Sequence, residues 1–524
     1  MPQFLGHFCI RKLLEKIMQQ KNNQQSIKNI VIAGGGSAGW MTAAALAKII
    51  GTSRYSIQLI ESEAIGTVSV GEATIPNIRQ FNSMIGIDEN DFLQHTQGTF
   101  KLGIEFVNWR KKGHAYMHPF GPYGVNMMGV QFHHYWLKQL QNGGEDDLLD
   151  YCLEGSAAKQ NKFTRPLNVQ NSPLASINYA FHFDATLYAK YLRVFAERHG
   201  VKRVEGKIQK VDLDPENGYI KQLTLEDGTQ IEGDLFIDCT GFRALLIEQA
   251  LNTGFEDWSH WLPCNTAVAQ ASIKQGEMKP YTVSTAQKCG WQWQIPLQSR
   301  VGNGHVFSRE HLSEDEAIAT LHKNMPGEKQ DEPRLLKWTN GKRKKSWNKN
   351  CVAIGLSAGF LEPLESTGLH LIQSSISRLL SLFPDKSFRQ ADIDAFNHFS
   401  DFDIDRVRDF IILHYKVTER EDSPFWESCR NMEIPESLQK KINLYQSHGR
   451  IFREGNELFN ELSWLSVLHG QGVTAEGYHP LVDNMPEKEQ QIQLARMKQV
   501  IAESTKQIQG HKDYIKQNCP AVPF

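Results

Sequence analysis

The sequence has few cysteines, almost no net charge and no long hydrophobic run. Its eight cysteines are scattered through 524 residues without a CxxC pair, which excludes a disulfide framework and a zinc knuckle. This usage predicts a reducing, cytoplasmic location and no metal site. A formal net charge of -2 at pH 7 gives no global field that would recruit nucleic acid or an anionic membrane. No stretch approaches the roughly 18 apolar residues that a membrane span needs.

The composition that is present belongs to an ordinary globular protein, with 40% hydrophobic and 22% charged residues. Residues 1–28 are expected to form an N-terminal extension, because their charges follow a short apolar run instead of preceding it as in a secretory signal. Residues 29–384 are expected to hold an α/β core, with interleaved pocket segments at about 110–180. Residues 385–524 are expected to form a mainly helical, substrate-capping part.

A βαβ unit is predicted near the start of the core. Residues 28–34 are a short run rich in β-branched side chains, residues 40–50 are alanine-rich and helical, and residues 55–60 are a second apolar run. A strand, a glycine turn, a helix and a second strand in this order make a βαβ unit.

The glycine turn of this unit matches the pattern G-x-G-x-x-G. Gly34 permits the tight turn, Gly36 lets a pyrophosphate approach the backbone, and Gly39 lets the helix and strand pack closely. Glu61 follows Gly39 by 22 residues, the spacing at which an acidic side chain binds ribose hydroxyls. The sequence therefore predicts a dinucleotide site.

A three-strand meander precedes a return to the same sheet. The turns Asn217-Gly218 and Asp227-Gly228 are strong hairpin signals, and an apolar strand then runs over 234–241 and ends in Thr-Gly. Such a return is similar to the two-part FAD site of glutathione-reductase-like flavoproteins. Because the chain has one glycine-rich fingerprint and no obvious second site for NAD(P)H, FAD is favoured over NAD.

Two further segments carry structural expectations. Residues 265–310 are typical of a β-sheet layer, with a hairpin turn at 301–305 (VGNGH). The lysine-rich segment 341–350 is expected to be a solvated loop and not a nucleic-acid site, because only one aromatic residue interrupts it.

Four motifs point to one family. They are VGEATIP at 70–76, TFKLG at 99–103, WQWQIP at 291–296 and LEPLESTG at 361–368. Together with the glycine turn they resemble the FAD-dependent tryptophan-halogenase family, and the resemblance runs from about residue 28 to about 485. The W-x-W-x-I-P hexapeptide is the family's diagnostic motif.

The resemblance implies a flavin chemistry and its partners. Reduced FAD and O₂ oxidise chloride or bromide to hypohalous acid, and a separate NAD(P)H-dependent flavin reductase supplies the FADH₂. The cofactor-binding residues expected besides the three glycines and Glu61 are Ser37, Ala38, Ala73, Thr74 and Leu356. Period 2 places Trp291, Trp293 and Ile295 on one face of a strand and the glutamines between them on the other. The resemblance implies that this aromatic wall keeps organic substrates away from the flavin.

Lys101, in TFKLG, matches the family lysine at the end of a tunnel from the flavin. There it handles hypohalous acid, either as an ammonium that hydrogen-bonds the acid or as a neutral amine that is halogenated. Desolvation would favour the second route by lowering the lysine pKa.

Glu365 matches the family glutamate that hydrogen-bonds the halogenating species or takes the proton from the halogenated ring. A helix stripe begins beside it, so Ser366 is expected to be the N-cap. The amides of Thr367 and Gly368 would form an anion site at the helix start, where the family places its halide.

The resemblance implies an aromatic substrate. His118 and Phe120 match positions that sandwich an indole ring, and Trp464 lies in the part that caps the pocket. The tyrosine pair that holds the amino-acid backbone of free tryptophan is not found. An indole without that backbone, a phenol or a carrier-bound aromatic are alternatives to a tryptophan-like substrate.

Two other functions are weighed against halogenation. An FAD-dependent aromatic hydroxylase would share the dinucleotide site but would need neither Lys101 nor the tryptophan wall. A non-catalytic flavin-binding protein could lose both Lys101 and Glu365 without consequence, and both are present. Family members are often dimers, so a homodimer is a possible assembly.

Overall fold

The structure is a computed structural model that describes residues 25–64 and 71–523. Most of the predicted N-terminal extension, residues 1–24, lies outside these described residues. Within the described part of the chain, no helix combines the length and the apolar character needed to cross a membrane.

A six-stranded sheet carries the βαβ unit. In spatial order its strands are Trp347–Asn348, Cys351–Ala353, Leu235–Asp238, Asn29–Ala33, Ser56–Glu61 and Lys202–Glu205. All neighbours are parallel except the first pair. The apolar residues of Asn29–Ala33 are buried because helices and loops cover both faces of the sheet. The predicted α/β fold class is confirmed.

The predicted order of elements around the glycine turn is confirmed. The strand Asn29–Ala33 leads through the turn into the helix Ser37–Ile49, which starts three residues before its expected first residue. The chain then enters Ser56–Glu61, parallel to the first strand. The return strand Leu235–Asp238 pairs in parallel with the other side of the first strand. The carboxyl ends of these strands therefore share one edge.

The meander is also as predicted. Its strands are Ile208–Leu213, Ile220–Leu225 and Gln230–Glu232, and they pair in antiparallel order. Gly218 and Gly228 have φ angles of 69° and 85°, a backbone region that glycine enters without strain.

A seven-stranded sheet forms a second layer. Its strands, in spatial order, are Arg334–Lys337, Thr266–Ile273, Arg300–Phe307, Trp291–Pro296, Thr282–Ala286, Gly103–Val107 and Ala115–Pro119. The expected hairpin turn at 301–305 is wrong, because these residues lie inside Arg300–Phe307. Gly304 lies opposite Trp293, and a Cβ there would fall 2.0 Å from the indole ring. This glycine makes room for an aromatic side chain instead of bending the chain.

Two three-stranded sheets complete the β-structure. One contains Gly71–Ala73, Ala180–Asp184 and Thr99–Lys101, and the other contains Phe255–Asp257, Gly341–Arg343 and Gly359–Phe360. The expected solvated loop at 341–350 is wrong. Lys342 is buried and its Nζ lies 2.7 Å from Asp401 and 3.1 Å from Asp405. The burial is tolerated because two carboxylates pair with the ammonium.

The remaining α-helices of the described residues are Asn77–Ile85, Glu89–His95, Phe132–Gln141, Leu153–Lys159, Ala185–Arg198, Glu314–Asn324, Gly368–Ser381, Gln390–Lys416, Pro424–Asn431, Glu436–His448, Glu461–Gly470, Glu487–Gln507 and His511–Asn518. The last strand along the described chain is Gly359–Phe360. The 27-residue helix Gln390–Lys416 has a buried C-terminal half that packs into an aromatic core beneath the seven-stranded sheet. The helix Glu461–Gly470 packs on the strand Ala115–Pro119.

Candidate active site

The glycine turn is shaped for a ligand. Gly34 has a φ of 108°, and a Cβ there would lie 2.2 Å from the carbonyl oxygen of Cys239. A Cβ on Gly39 would lie 1.9 Å from the carbonyl oxygen of Gly34. A Cβ on Gly36 would meet nothing within 4 Å, so its space is left open at the start of the helix Ser37–Ile49. Among residues 25–64 and 71–523, no side chain caps that helix, which leaves its first N–H groups available to an anion.

Glu61 is fixed beside this turn. Its carboxylate accepts hydrogen bonds from Trp40 Nε1 at 3.2 Å and Arg203 Nε at 2.6 Å. A Cβ on Gly35 would lie 1.7 Å from Glu61 Oε2. Gly35, which the sequence pattern leaves unassigned, is therefore needed to let the acidic side chain approach the turn.

One cavity of about 740 Å³ runs from this turn to the tryptophan wall. Its volume is in the range of sites that enclose large organic ligands. The cavity lining includes these predicted residues: Gly34, Gly36, Ser37, Ala38, Glu61, Ala73, Trp291, Trp293, Leu356, Ser366 and Gly368. Thr74 is buried and does not line the cavity. Its hydroxyl hydrogen-bonds both the carbonyl oxygen and the N–H of Phe181. The open space at Gly36, the uncapped helix and the volume of the cavity fit an FAD.

The tryptophan wall has the predicted alternation. Trp291, Trp293 and Ile295 face the cavity, while Gln292 accepts a hydrogen bond from Asn324 on the opposite face. Trp291 Nε1 donates to Glu362 at 2.8 Å. The wall is therefore held from behind by a buried carboxyl group.

Lys101 does not line the cavity itself but hydrogen-bonds Ser366, which does. It ends the strand Thr99–Lys101, is fully buried, and its Nζ donates to Ser366 Oγ at 2.8 Å. The ring of Phe120 lies 5.4 Å from the same Nζ. Burial lowers the pKa of Lys101 to about 7, although the nearby carboxylate of Glu365 opposes the shift. Both the ammonium and the neutral amine are therefore populated near neutral pH.

Glu365 is held by two histidines. It is 1% exposed, and its carboxylate accepts from His118 Nδ1 at 3.0 Å and from His414 Nε2 at 2.8 Å. Burial alone would raise the pKa of Glu365, but the two histidines that hydrogen-bond its carboxylate lower it to about 2. The side chain is a carboxylate at neutral pH.

The expected N-cap at Ser366 is wrong. The helix is Gly368–Ser381, its N-cap is Thr367, and no side chain caps it. Ser366 has a φ of 60°, and this left-handed turn directs its hydroxyl to Lys101. Among the described residues, no protein acceptor takes the N–H of Thr367 or Gly368, and a Cβ on Gly368 would meet nothing within 4 Å. The helix start therefore has free N–H groups and open space for a small anion.

Comparison with known proteins decides the family. The tryptophan halogenase family model matches residues 29–487. The chain belongs to the tryptophan halogenase family.

Its relatives among solved structures cover nearly the whole halogenase chain. A flavin-dependent halogenase from Xanthomonas campestris is 45% identical with a TM-score of 0.92, covering 95% of this chain and 100% of its own. BrvH, a flavin-dependent halogenase from Brevundimonas sp. BAL3, is 45% identical with a TM-score of 0.91, covering 94% and 99%. Tryptophan 6-halogenase ThaL from Streptomyces albogriseolus is 36% identical, over 80% of this chain and 82% of its own. The halogenase is thus an FADH₂-dependent oxidoreductase whose family uses FAD and halide.

Two of the three predicted pocket residues of the halogenase belong to an aromatic cluster, defined here as His118, Phe410, Phe459 and Trp464, and the third, Phe120, lies 5.4 Å from Lys101 Nζ. Phe410 stacks on Phe459 with ring centroids 3.8 Å apart, and Trp464 meets Phe410 edge-on at 5.0 Å. The His118 ring lies 5.9 Å from that of Phe410. Trp464 is buried and its indole N–H has no partner among the described residues. The cluster lies beside Glu365, because His118 contacts Phe410 and also hydrogen-bonds the Glu365 carboxylate.

Three residues that touch this halogenase site were given no individual role from sequence. Glu362 supports Trp291, and His414 and Tyr116 lie behind Glu365. Tyr116 and His118 are two apart on the strand Ala115–Pro119, so period 2 places them on one face. His414 comes from a helix about 50 residues after Glu365, and no local spacing indicates that contact. Among the described residues, no cluster of three or more acidic, His or Cys side chains is arranged to hold a metal ion.

Proposed function

We propose that the enzyme oxidises chloride or bromide to hypohalous acid and passes it to Lys101, which directs electrophilic halogenation of an electron-rich aromatic. The supporting observation is the arrangement at one end of the cavity. Ser366 lines the cavity and its hydroxyl accepts a hydrogen bond from Lys101 at 2.8 Å, while the N–H groups of Thr367 and Gly368 beside it have no acceptor in the described part of the chain. Bound FADH₂ would supply, with O₂, the oxidising equivalents for the halide.

Each group of the chain has a defined task in this proposal. The glycine turn and the uncapped helix at Ser37 hold the pyrophosphate, and the helix start at Gly368 holds the halide. Trp291 and Trp293 line the cavity and keep the aromatic substrate away from the flavin. The hypohalous acid then passes Ser366 to reach Lys101. The path between the cavity and Lys101 is short and buried, so bulk water is excluded from it.

Lys101 can act in either protonation state. As an ammonium it hydrogen-bonds and polarises hypohalous acid, and as a neutral amine it takes up the halogen as a haloamine. Its pKa of about 7 keeps both routes available. The two routes have opposite pH dependence, because the first weakens and the second strengthens as pH rises through 7.

Glu365 is proposed to accept the proton that the halogenated ring loses. A carboxylate held at two hydrogen bonds and 1% exposed is ready as a general base, and such a base contributes roughly 10²–10⁴ in rate. Lys101 and Glu365 therefore divide the work between halogen delivery and proton removal.

The substrate is proposed to be an indole-like or other electron-rich aromatic. His118, Phe120 and Trp464 would contact its ring, since His118 hydrogen-bonds Glu365, Phe120 lies beside Lys101 and Trp464 packs on Phe410 next to His118. The relative ThaL is named a tryptophan 6-halogenase, whereas the names of the two relatives at 45% identity specify no substrate. A separate flavin reductase is the proposed source of FADH₂.

The test is a product screen by mass spectrometry. The protein, FAD, a flavin reductase, NADH and either NaCl or NaBr are incubated with tryptophan, indole and simple phenols. Replacement of one hydrogen by a halogen, with the isotope doublet of bromine in the bromide arm, is the expected result. Addition of one oxygen in place of a halogen would contradict the proposal.

The matched variant is Lys101→Ala. It is expected to bind FAD like the wild type and to form no halogenated product, because Lys101 lies beyond Ser366 and does not line the cavity. Unchanged product formation would refute the role of Lys101.

A further inference from the structure

A tyrosine and a histidine lie in line behind Glu365. The hydroxyl of Tyr116 lies 3.1 Å from His414 Nδ1, and His414 Nε2 lies 2.8 Å from Glu365 Oε1. Tyr116 is 8% exposed and the other two are 1% exposed or less. In the function proposed above, His414 only supplies one of the two hydrogen bonds to Glu365 and Tyr116 has no task, yet Tyr116 is hydrogen-bonded to His414 on the side away from Glu365.

The hydrogen bonds define the tautomer of His414. Burial raises the pKa of Tyr116 well above its ordinary value, so the phenol keeps its proton and donates it to Nδ1. Nδ1 is then the acceptor, and the proton of the neutral ring must be on Nε2. Burial also lowers the pKa of His414, which keeps the ring neutral. His414 therefore donates to Glu365.

The imidazole ring is fixed by its surroundings. It lies against Phe106 with ring centroids 4.7 Å apart and meets Phe410 edge-on at 5.5 Å. Trp109 contacts it edge-on at 5.8 Å. Gln471 Nε2 donates to the backbone carbonyl of His414 at 2.9 Å. Rotation of the ring would break two hydrogen bonds and three aromatic contacts.

We propose that Tyr116 and His414 are positioning residues: Tyr116 sets the tautomer of His414, and His414 holds Glu365 in the orientation of a proton acceptor. The inference rests on the proposed role of Glu365 as the base. Without Tyr116, the ring is free to move its proton to Nδ1, and Nε2 then presents a lone pair to the carboxylate. Glu365 must in that case be protonated or turn away, and either change removes the base.

The activity test is the pH dependence of kcat. The titratable groups that face Glu365 are Lys101 on Thr99–Lys101, Tyr116 and His118 on Ala115–Pro119, and His414 on Gln390–Lys416. Loss of a donor raises the pKa of Glu365, so the acid limb of kcat should move to higher pH. In Tyr116→Phe and His414→Phe we expect kcat at pH 7 to fall about tenfold or more. This loss is a fraction of the roughly 10²–10⁴ in rate that a general base contributes. KM for the aromatic substrate should change less than about twofold.

Two variants separate this role from general packing. His414→Gln is expected to restore the wild-type limb, because an amide can accept from Tyr116 and donate to Glu365 as the neutral ring does. Tyr151→Phe is the matched control, since its hydroxyl bonds Asp146 elsewhere, and its profile should follow the wild type. A superimposable acid limb in wild type and Tyr116→Phe would overturn the proposal.

A second measurement does not depend on halogenation. In flavin-free protein labelled with ¹⁵N-histidine, the signals missing from His414→Gln identify His414. Wild type should show the Nε2–H tautomer, and Tyr116→Phe should show a mixture. An Nδ1–H tautomer in the wild type would overturn the inference, whereas failure of the wild type to halogenate any substrate would contradict only the proposed function.

Discussion

Replacement of Lys101 by methionine should stabilise the fold while it removes activity. Lys101 is fully buried, and the one hydrogen-bond partner of its ammonium among the described residues is the neutral hydroxyl of Ser366. Burial dominates, since the pKa falls even though Glu365 is close by. Methionine fills a similar volume without an ionisable group, and Glu365 keeps its two histidine donors.

The size of the effect follows from the pKa. A fall from 10.5 to about 7 corresponds to about 5 kcal/mol of folding free energy, at roughly 1.4 kcal/mol for each pKa unit. Loss of the bond to Ser366 returns about 1 kcal/mol, so Lys101→Met should gain about 4 kcal/mol at pH 7 and below. A 524-residue chain has an unfolding entropy near 1 kcal/mol/K, which makes this about 4 °C in Tm.

The pH dependence has a definite sign. Between about pH 7 and 10.5 the unfolded chain binds a proton at Lys101 that the folded chain does not, so wild-type stability rises with pH. The advantage of Lys101→Met should therefore shrink to about 1 kcal/mol at pH 9. Below pH 7 the stability difference between Lys101→Met and the wild type is not expected to narrow.

Differential scanning calorimetry at pH 6, 7, 8 and 9 checks this prediction. Lys342→Met is the matched control of opposite sign, because it would leave Asp401 and Asp405 without their buried partner, and its Tm should fall. A Tm for Lys101→Met below that of the wild type at pH 7 would refute the reasoning, as would a difference that does not narrow by pH 9.

Three substitutions test other parts of the structure. Gly36→Val should keep the wild-type Tm and lose flavin on gel filtration, because its side chain would enter open space in the cavity; retained flavin absorbance would contradict the site. Gly304→Ala should lower stability by about 1–3 kcal/mol in thermal unfolding, since its Cβ would meet the ring of Trp293, and an unchanged Tm would contradict that contact. Glu362→Ala should lose about 2–5 kcal/mol by leaving Trp291 and Tyr415 without an acceptor. Burial raises the pKa of Glu362 to about 7, so Glu362→Gln should stay within about 1 kcal/mol of the wild type, and equal losses in both variants would refute the hydrogen-bonding role.

The βαβ unit with its glycine turn could be predicted from sequence because its signals are local. A Cβ on Gly39 would meet the carbonyl oxygen of Gly34 within the same turn, and the space at Gly36 is open, as the glycine spacing predicts. The meander was predictable for the same reason, since Asn-Gly and Asp-Gly fix their own turns.

The wrong predictions concern residues whose conformation or burial is set by a contact with a residue distant in sequence. Gly304 resembles a turn residue but makes room for Trp293 on the next strand. Ser366 has the residue type of an N-cap, yet its hydroxyl accepts from Lys101, which is 265 residues away. Lys342 belongs to a run of basic residues and is buried because helix Gln390–Lys416 brings Asp401 to it.

The histidines of the candidate site show the same limit. His118 was expected to be a wall of the substrate pocket, and the structure also places its Nδ1 on Glu365. His414 could not be predicted to join them, because a long-range packing of helix on sheet creates the contact. The identities of such polar partners depend on tertiary packing and leave no periodicity in the sequence.

The most direct test of the central claim compares product with flavin consumed. Enzyme loaded with FADH₂ is mixed with O₂, bromide and an accepted aromatic, and brominated product is counted per FADH₂ oxidised. Wild type is expected to convert most of the oxidising equivalents into product, whereas Lys101→Met should oxidise FADH₂ at the wild-type rate and form at least about 100-fold less product. An equal yield of product per flavin in the two proteins would contradict the claim that Lys101 delivers the halogen.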